Sequence, residues 1–73
     1  MDISAEIKRV RKLSMLSQEE LARELGVSFA TVNRWETGKA KPTYRTLRLV
    51  DEFCQKRGIV SNLTSFVGQQ NGG

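Results

Sequence analysis

SQEELARELGVSFATVNRWE, residues 17 to 36, carries the spacing of two short helices that cross at a tight turn. On either side of a turn of three or four residues the apolar positions keep the helical period of about 3.6. Leu21 and Leu25 lie one turn apart and face inward, and Ala22 beside them is small enough to let the two helices approach. A bulky residue at Ala22 is expected to break the crossing. Gly26 follows the last apolar residue of the first helix, where the chain must turn left-handed at almost no cost to a glycine. The turn is then Gly26, Val27 and Ser28, with Val27 plugging the gap beneath it, while Val32 and Trp35, three apart, give the second helix its buried face. Start signals agree with this register. Ser17 and Glu20 form S-x-x-E, a capping box that satisfies two orphan amides, and Ser28 caps a helix from Phe29 to about Thr37 that Gly38 ends.

Working outward, a helix is expected from Ile3 or Ser4 to Ser14, capped by Asp2 or Ser4, with Ile3, Ile7 and Val10 at helical spacing and Leu13 and Leu16 flanking its end. The second helix covers Gln18 to Leu25. Pro42 interrupts the chain after the third, and Thr43 caps a fourth from Tyr44 to about Lys56, with Leu47, Val50 and Cys54 inward, Phe53 adjacent and Gly58 as the stop. Ile59, Leu63, Phe66 and Val67 keep helical spacing, so a short fifth helix is expected over about Ser61 to Val67. The closing GQQNGG holds no apolar residue and is expected to be disordered. The expectation is an all-α domain over residues 1 to 67, a compact bundle of four to five helices, followed by a flexible tail over 68 to 73.

A chain of 73 residues removes only about 60 to 65% of its unfolded surface from water, so its core is modest. No run of roughly 18 apolar residues and no charged-then-apolar leader occurs, so neither a membrane span nor a signal peptide is expected, and the cytoplasm is the expected location. One cysteine, Cys54, makes no internal disulfide, and without histidine there is no zinc-type cluster; neither a metal nor any other cofactor is expected. Twelve basic against eight acidic residues give a net charge of +4 and a pI near 9.7, suited to a polyanionic partner. From Phe29 to Arg45 the cations are Arg34, Lys39, Lys41 and Arg45, against one anion, Glu36; Lys8, Arg9, Arg11 and Lys12 add a second group on helix 1. The bland reading of such a run is a solvated face, and the helix-turn-helix pattern shifts the balance toward DNA.

Over roughly residues 3 to 56 the chain resembles the DNA-binding domain of the Cro and lambda-type repressors, the XRE helix-turn-helix family. Ile7, Val10 and Arg11, LSQEELA at 16 to 22, GVS at 26 to 28, TVNRWETGKAKP at 31 to 42 and TLRLV at 46 to 50 carry the likeness. The resemblance implies a lambda repressor-like bundle in which helix 3 enters the major groove of double-stranded DNA. By the same correspondence Phe29, Ala30 and Arg34, with Ser28, Thr31 and Asn33 alongside, are the base-reading positions. Arg34 is the strongest of these, because a guanidinium donates two parallel hydrogen bonds to guanine N7 and O6; its alternative is a phosphate contact or a solvent-facing arginine. Phe29 and Ala30 depart from the family's frequent polar residues and donate no hydrogen bond. They contact thymine methyl groups, or Phe29 packs over the turn, and the sequence leaves both open. Asn33 can pair with adenine, although its angular position is less favourable.

Phosphate contacts are expected from Gln18, which matches the family position whose amide reaches a phosphate and braces helix 3, and from Lys39, Lys41, Thr43, Tyr44 and Arg45 around the start of helix 4. Arg11 and Glu36 align with a family pair that forms a partly buried salt bridge, which removes both from the DNA-facing set. Trp35 is read as core rather than as a base-stacking ring, and Cys54 as a small buried hydrophobe. Glu19 with Glu20, and Asp51 with Glu52, point in different directions on their helices and make no acid/base pair.

Three classes of function compete. The first is a sequence-specific DNA-binding repressor that takes a palindromic operator as a homodimer. The second keeps the module in another setting, as an antitoxin or as the DNA-targeting part of a larger protein such as a restriction-modification enzyme; the segment with Leu63, Phe66 and Val67 is then the surface for a partner protein. The third is a protein-interaction domain that has lost DNA binding, marked by acidic or bulky residues before helix 4, where this chain has lysines. An enzyme is not expected, since no constellation of catalytic groups or phosphate-binding loop is present.

Overall fold

The first helix starts where the Asp2 carboxylate accepts the Ser4 backbone N–H at 3.1 Å; in the computed structural model, which describes residues 2 to 63, α1 then runs Ile3–Leu13. Ser17 and Glu20 complete the capping box reciprocally, at 3.0 Å and 2.8 Å, and open α2, Gln18–Leu25. Ser28 accepts the Thr31 N–H and opens α3, Phe29–Glu36. Thr43 accepts the Thr46 N–H and opens α4, Tyr44–Arg57. Each N-cap oxygen supplies an acceptor to an amide that the first turn of a helix leaves without one.

The ends are as uniform as the starts. After each of the four helices one residue takes the left-handed conformation and two backbone amides return to the last turn. At α2 these are Gly26 N to the Arg23 carbonyl and Val27 N to the Ala22 carbonyl, a Schellman ending. Gly38 and Gly58 end α3 and α4 in the same way, at φ 77° and 69°. Helix α1 does it without glycine: Met15 stands at φ 59°, with its N–H on Lys12 and that of Leu16 on Arg11. The expected terminus at Ser14 is thereby set one residue back, at Leu13.

Helix α3 packs against α2 and α1, and α2 packs against α4. The core joins Ile7 and Val10 of α1, Leu21, Ala22 and Leu25 of α2, Val32 and Trp35 of α3, and Leu47, Val50, Phe53 and Cys54 of α4. Each of the larger residues contributes about 1.5 to 3 kcal/mol by leaving water. Val27 packs beneath the turn, partly buried as its spacing predicted. Burial pushes the Cys54 thiol up, with Asp51 adding to the shift, as expected of a cysteine that serves as a hydrophobe. At the surface Arg57 pairs with Glu24 at 3.5 Å and lies 4.6 Å from the Phe53 ring centroid, joining α4 to α2. Among the described residues the architecture is four helices and no strand. Leu63 is fully buried in the core; the rest of the expected fifth helix, from 64 to 67, and the expected tail over 68 to 73 lie outside the described residues.

Candidate nucleic-acid interface

The turn and α3 form one exposed edge. Val32, Trp35 and Glu36 face inward, so the helical period leaves Phe29, Ala30 and Arg34 outside, with Thr31 and Asn33 half-buried at the margins. Phe29 is 51% exposed, so about half of its surface stands open to solvent at this edge. The Ser28 and Thr31 hydroxyls lie 2.8 Å apart and share a hydrogen bond. Asn33 Nδ2 donates to Gln18 Oε1 at 3.1 Å, so part of its amide is committed to α2. The Arg34 side chain is exposed, and no carboxylate pairs with it among the described residues.

Behind this edge a chain of polar groups fixes α3 in place. Arg11 grips Glu36 with two hydrogen bonds, Nε to Oε2 at 2.7 Å and Nη2 to Oε1 at 3.0 Å, and its Nη1 donates to the Leu16 carbonyl. Gln18 Nε2 donates to Glu36 Oε1 at 3.0 Å. The row Arg11, Glu36, Gln18, Asn33 therefore ties α1, α3 and α2 together without leaving a buried side-chain polar atom unpaired among the described residues. Burial alone pushes the Glu36 carboxyl up. The hydrogen bonds from Arg11 and Gln18 and the charges of Arg11 and Lys8 outweigh it, holding Glu36 ionised below the usual carboxylate range. The negative charge at the end of α3 is thus neutralised where it stands, and Arg11 and Glu36, the partners aligned by resemblance, are in contact.

The loop after α3 presents Lys39 and Lys41, both exposed, while Pro42 is buried and anchors it. Lys39 N and Ala40 N both donate to the Arg34 carbonyl, at 2.9 Å and 3.3 Å, so the loop starts from a fixed point at the end of α3. Arg45 is exposed on the first turn of α4, where the amides of Tyr44 and Arg45 lack an intrahelical acceptor. Arg48, which the sequence reading passed over, lies over the Tyr44 ring at 5.9 Å from its centroid. Its four-residue spacing from Tyr44 was the available signal.

A second polar cluster was also missed. Glu6 is buried on α1, accepts two hydrogen bonds from Arg9 at 2.9 Å and 2.8 Å, and receives the Ser61 hydroxyl and the Asn62 N–H at 3.0 Å each. Arg9 Nη2 also donates to the Val60 carbonyl at 2.9 Å. These bonds fold the segment after α4 back onto α1 and bring Leu63 to the core. The Arg9 hydrogen bonds, with those of Asn62 and Ser61 and against the effect of burial, lower the Glu6 pKa to about 2.

Two short helices crossing at a Gly26 turn, with the second held by a buried ion pair and presenting an exposed face, define a helix-turn-helix domain. The helix-turn-helix family profile matches residues 7 to 58, and the chain belongs to that family, in its XRE branch, whose domains bind DNA. Relatives point the same way. The chain is 32% identical over 53 residues to the HTH-type transcriptional activator BcrR of Enterococcus faecalis, covering 73% of this chain and 26% of that protein. It is 40% identical over 55 residues to the type II methyltransferase M.SsoII of Shigella sonnei, covering 71% and 14%. Over 45 residues it is 42% identical to YiaG, an uncharacterized HTH-type transcriptional regulator of Escherichia coli K12, covering 62% and 47%. The chain thus spans less than half the length of each of these relatives. No solved structure matches it significantly. No helix among the described residues is long and apolar enough to cross a membrane.

Proposed function

We propose that the chain is the operator-reading domain of a transcriptional regulator, with α3 seated in the major groove and each copy taking one half of a palindromic site as part of a homodimer. The observation that carries this reading is the charge arrangement around α3. Arg34, Lys39, Lys41 and Arg45 stand exposed without carboxylate partners among the described residues, while Glu36 is fully occupied by Arg11 and Gln18. Arg34 reads guanine through paired hydrogen bonds, worth about 1 to 3 kcal/mol of discrimination. Ser28, Thr31 and Asn33 line its margins and Gln18, Lys39, Lys41, Thr43, Tyr44 and Arg45 hold phosphates on either side. Repression is the favoured outcome, because occupancy of a promoter suffices for it, whereas activation needs a further surface for polymerase.

The match to one short part of a methyltransferase favours a second setting for the same activity, in which the module directs a longer protein to its site. Either setting requires sequence-specific binding. Selection from a randomised duplex pool, followed by affinity against scrambled duplex at two salt concentrations, tests it. An inverted repeat preferred by about 10³-fold or more is the expected result; weak binding with no sequence preference overturns the proposal. Lys39→Ala or Lys41→Ala is expected to weaken all duplexes alike and to lower the salt dependence by about one unit of slope.

A further inference from the structure

The exposed edge of α3 divides into two chemistries. Phe29 and Ala30 form its first turn, both exposed and neither with a polar side-chain atom. The polar side chains nearest them are partly spent within the protein: the Ser28 and Thr31 hydroxyls on one another and on the Thr31 N–H, and Asn33 on Gln18. One turn beyond Ala30 stands Arg34, exposed and without a carboxylate partner among the described residues. The first turn thus offers an apolar contact and the second a guanidinium.

On the major-groove edges of the bases the apolar group is the C5-methyl of thymine, and methylation of cytosine places the same group at the same position. Resting on the seating of α3 proposed above, we infer that Phe29, flanked by Ala30, reads the C5-methyl of a pyrimidine. Its ligand class is thymine or 5-methylcytosine, and unmethylated cytosine is disfavoured there. The exposed ring gains by covering a methyl group that is otherwise in water, a contact that needs no donor or acceptor. The lysines and Arg45 that flank α3 supply attraction to the phosphates on both sides, so the ring is carried to the groove by charge and discriminates by shape. The consequence is that an operator carrying cytosine at that position is occupied according to its methylation, whereas one carrying thymine is read constitutively.

The test uses the duplex selected by the wild-type protein. Each thymine of the half-site is replaced singly by uracil, which removes the methyl and leaves every hydrogen-bonding group in place. The thymine pair of interest is also exchanged for a C·G pair with and without a 5-methyl group. One position is expected at which uracil weakens binding by about three- to fivefold, the worth of one buried methyl. At that position 5-methylcytosine is expected to bind more tightly than cytosine by a similar factor. In Phe29→Ala both factors fall below about twofold, while its melting temperature stays near wild type because the ring is half in water. Uracil without effect at every position of a duplex that is still preferred overturns the methyl reading and leaves the seating of α3 intact. A uracil penalty that persists in Phe29→Ala overturns the role of Phe29. Failure to obtain any preferred duplex overturns both the seating and the methyl reading.

Discussion

Two buried carboxylates hold helix α1, one fastening α3 to it and the other the segment after α4. Glu36 reaches from α3 to Arg11 and Gln18, joining three helices through side chains alone. Glu6 sits on α1 itself and takes the Ser61 hydroxyl and the backbone N–H of Asn62, while its arginine, Arg9, takes the Val60 carbonyl. The first network positions the exposed edge of α3; the second seats the segment after α4 over the core. Their energetics differ with their surroundings. The Arg11 side chain keeps 15% of its exposure and that of Arg9 keeps 46%, so loss of the carboxylate strands a nearly buried cation in one case and a half-solvated one in the other.

The largest effect expected from this difference is that of Glu36→Ala, which leaves Arg11 buried without a counter-charge and should cost about 3 to 5 kcal/mol. In a domain this small each kcal/mol shifts the melting temperature by about 4 to 8 °C, so thermal or urea unfolding reads it directly. Glu6→Ala should cost less, about 2 to 3 kcal/mol, because Arg9 turns to water and only the Ser61 and Asn62 groups lose a buried acceptor. A cost equal to that of Glu36→Ala would break the comparison. Acid sharpens it. The Glu6 pKa is lowered from 4.5 in the absence of the fold to about 2 within it. Its contribution is therefore complete above about 4.5 and is lost as pH falls toward about 2. The wild-type protein should lose stability steeply over that window, and Glu6→Gln, which has no proton to take up, should lose distinctly less.

Smaller effects follow from the backbone that serves each network. Gly58 turns the chain toward α1 at φ 69°, with no atom within 4 Å of where a Cβ would stand. Gly58→Ala is therefore a test of conformation alone and should cost about 1 kcal/mol. Smallest is Met15→Gly, expected to raise stability by about 0.5 kcal/mol, because relief of the left-handed strain outweighs the added freedom of the unfolded chain; urea midpoints resolve both changes.

The two networks also differ in how far the amino-acid sequence foretells them. Ser17, Glu20, Ser28, Thr43 and the glycines at 26, 38 and 58 act through their own side chains or the lack of one, so the ends of α2, α3 and α4 were legible to within a residue. The row from Arg11 to Gln18 was legible by the same route with the help of resemblance, since it joins side chains of complementary type. Glu6 binds a backbone amide and Arg9 a backbone carbonyl, groups that nearly every residue possesses, and no residue type marks them in advance. The left-handed turn at Met15 was hidden for a related reason: the geometry of the ending is the same as at Gly26, but the residue that adopts it does not announce it. At the candidate interface the reading named the exposed residues Phe29, Ala30 and Arg34, while the internal bonds of Asn33 and Thr31 and the Arg48–Tyr44 contact required three-dimensional neighbours.

Trp35 sits one residue from Glu36 and is the single tryptophan of the chain, 3% exposed on the inward face of α3. Optically, that makes the seating of α3 visible without a label. Indole emission shifts to longer wavelength when water reaches the ring, so unfolding registers in the intrinsic fluorescence, while a duplex bound as proposed, on the opposite face, would leave the ring shielded. Folding and DNA binding can then be followed in one cuvette through two separate signals, tryptophan emission for the first and the anisotropy of a labelled duplex for the second.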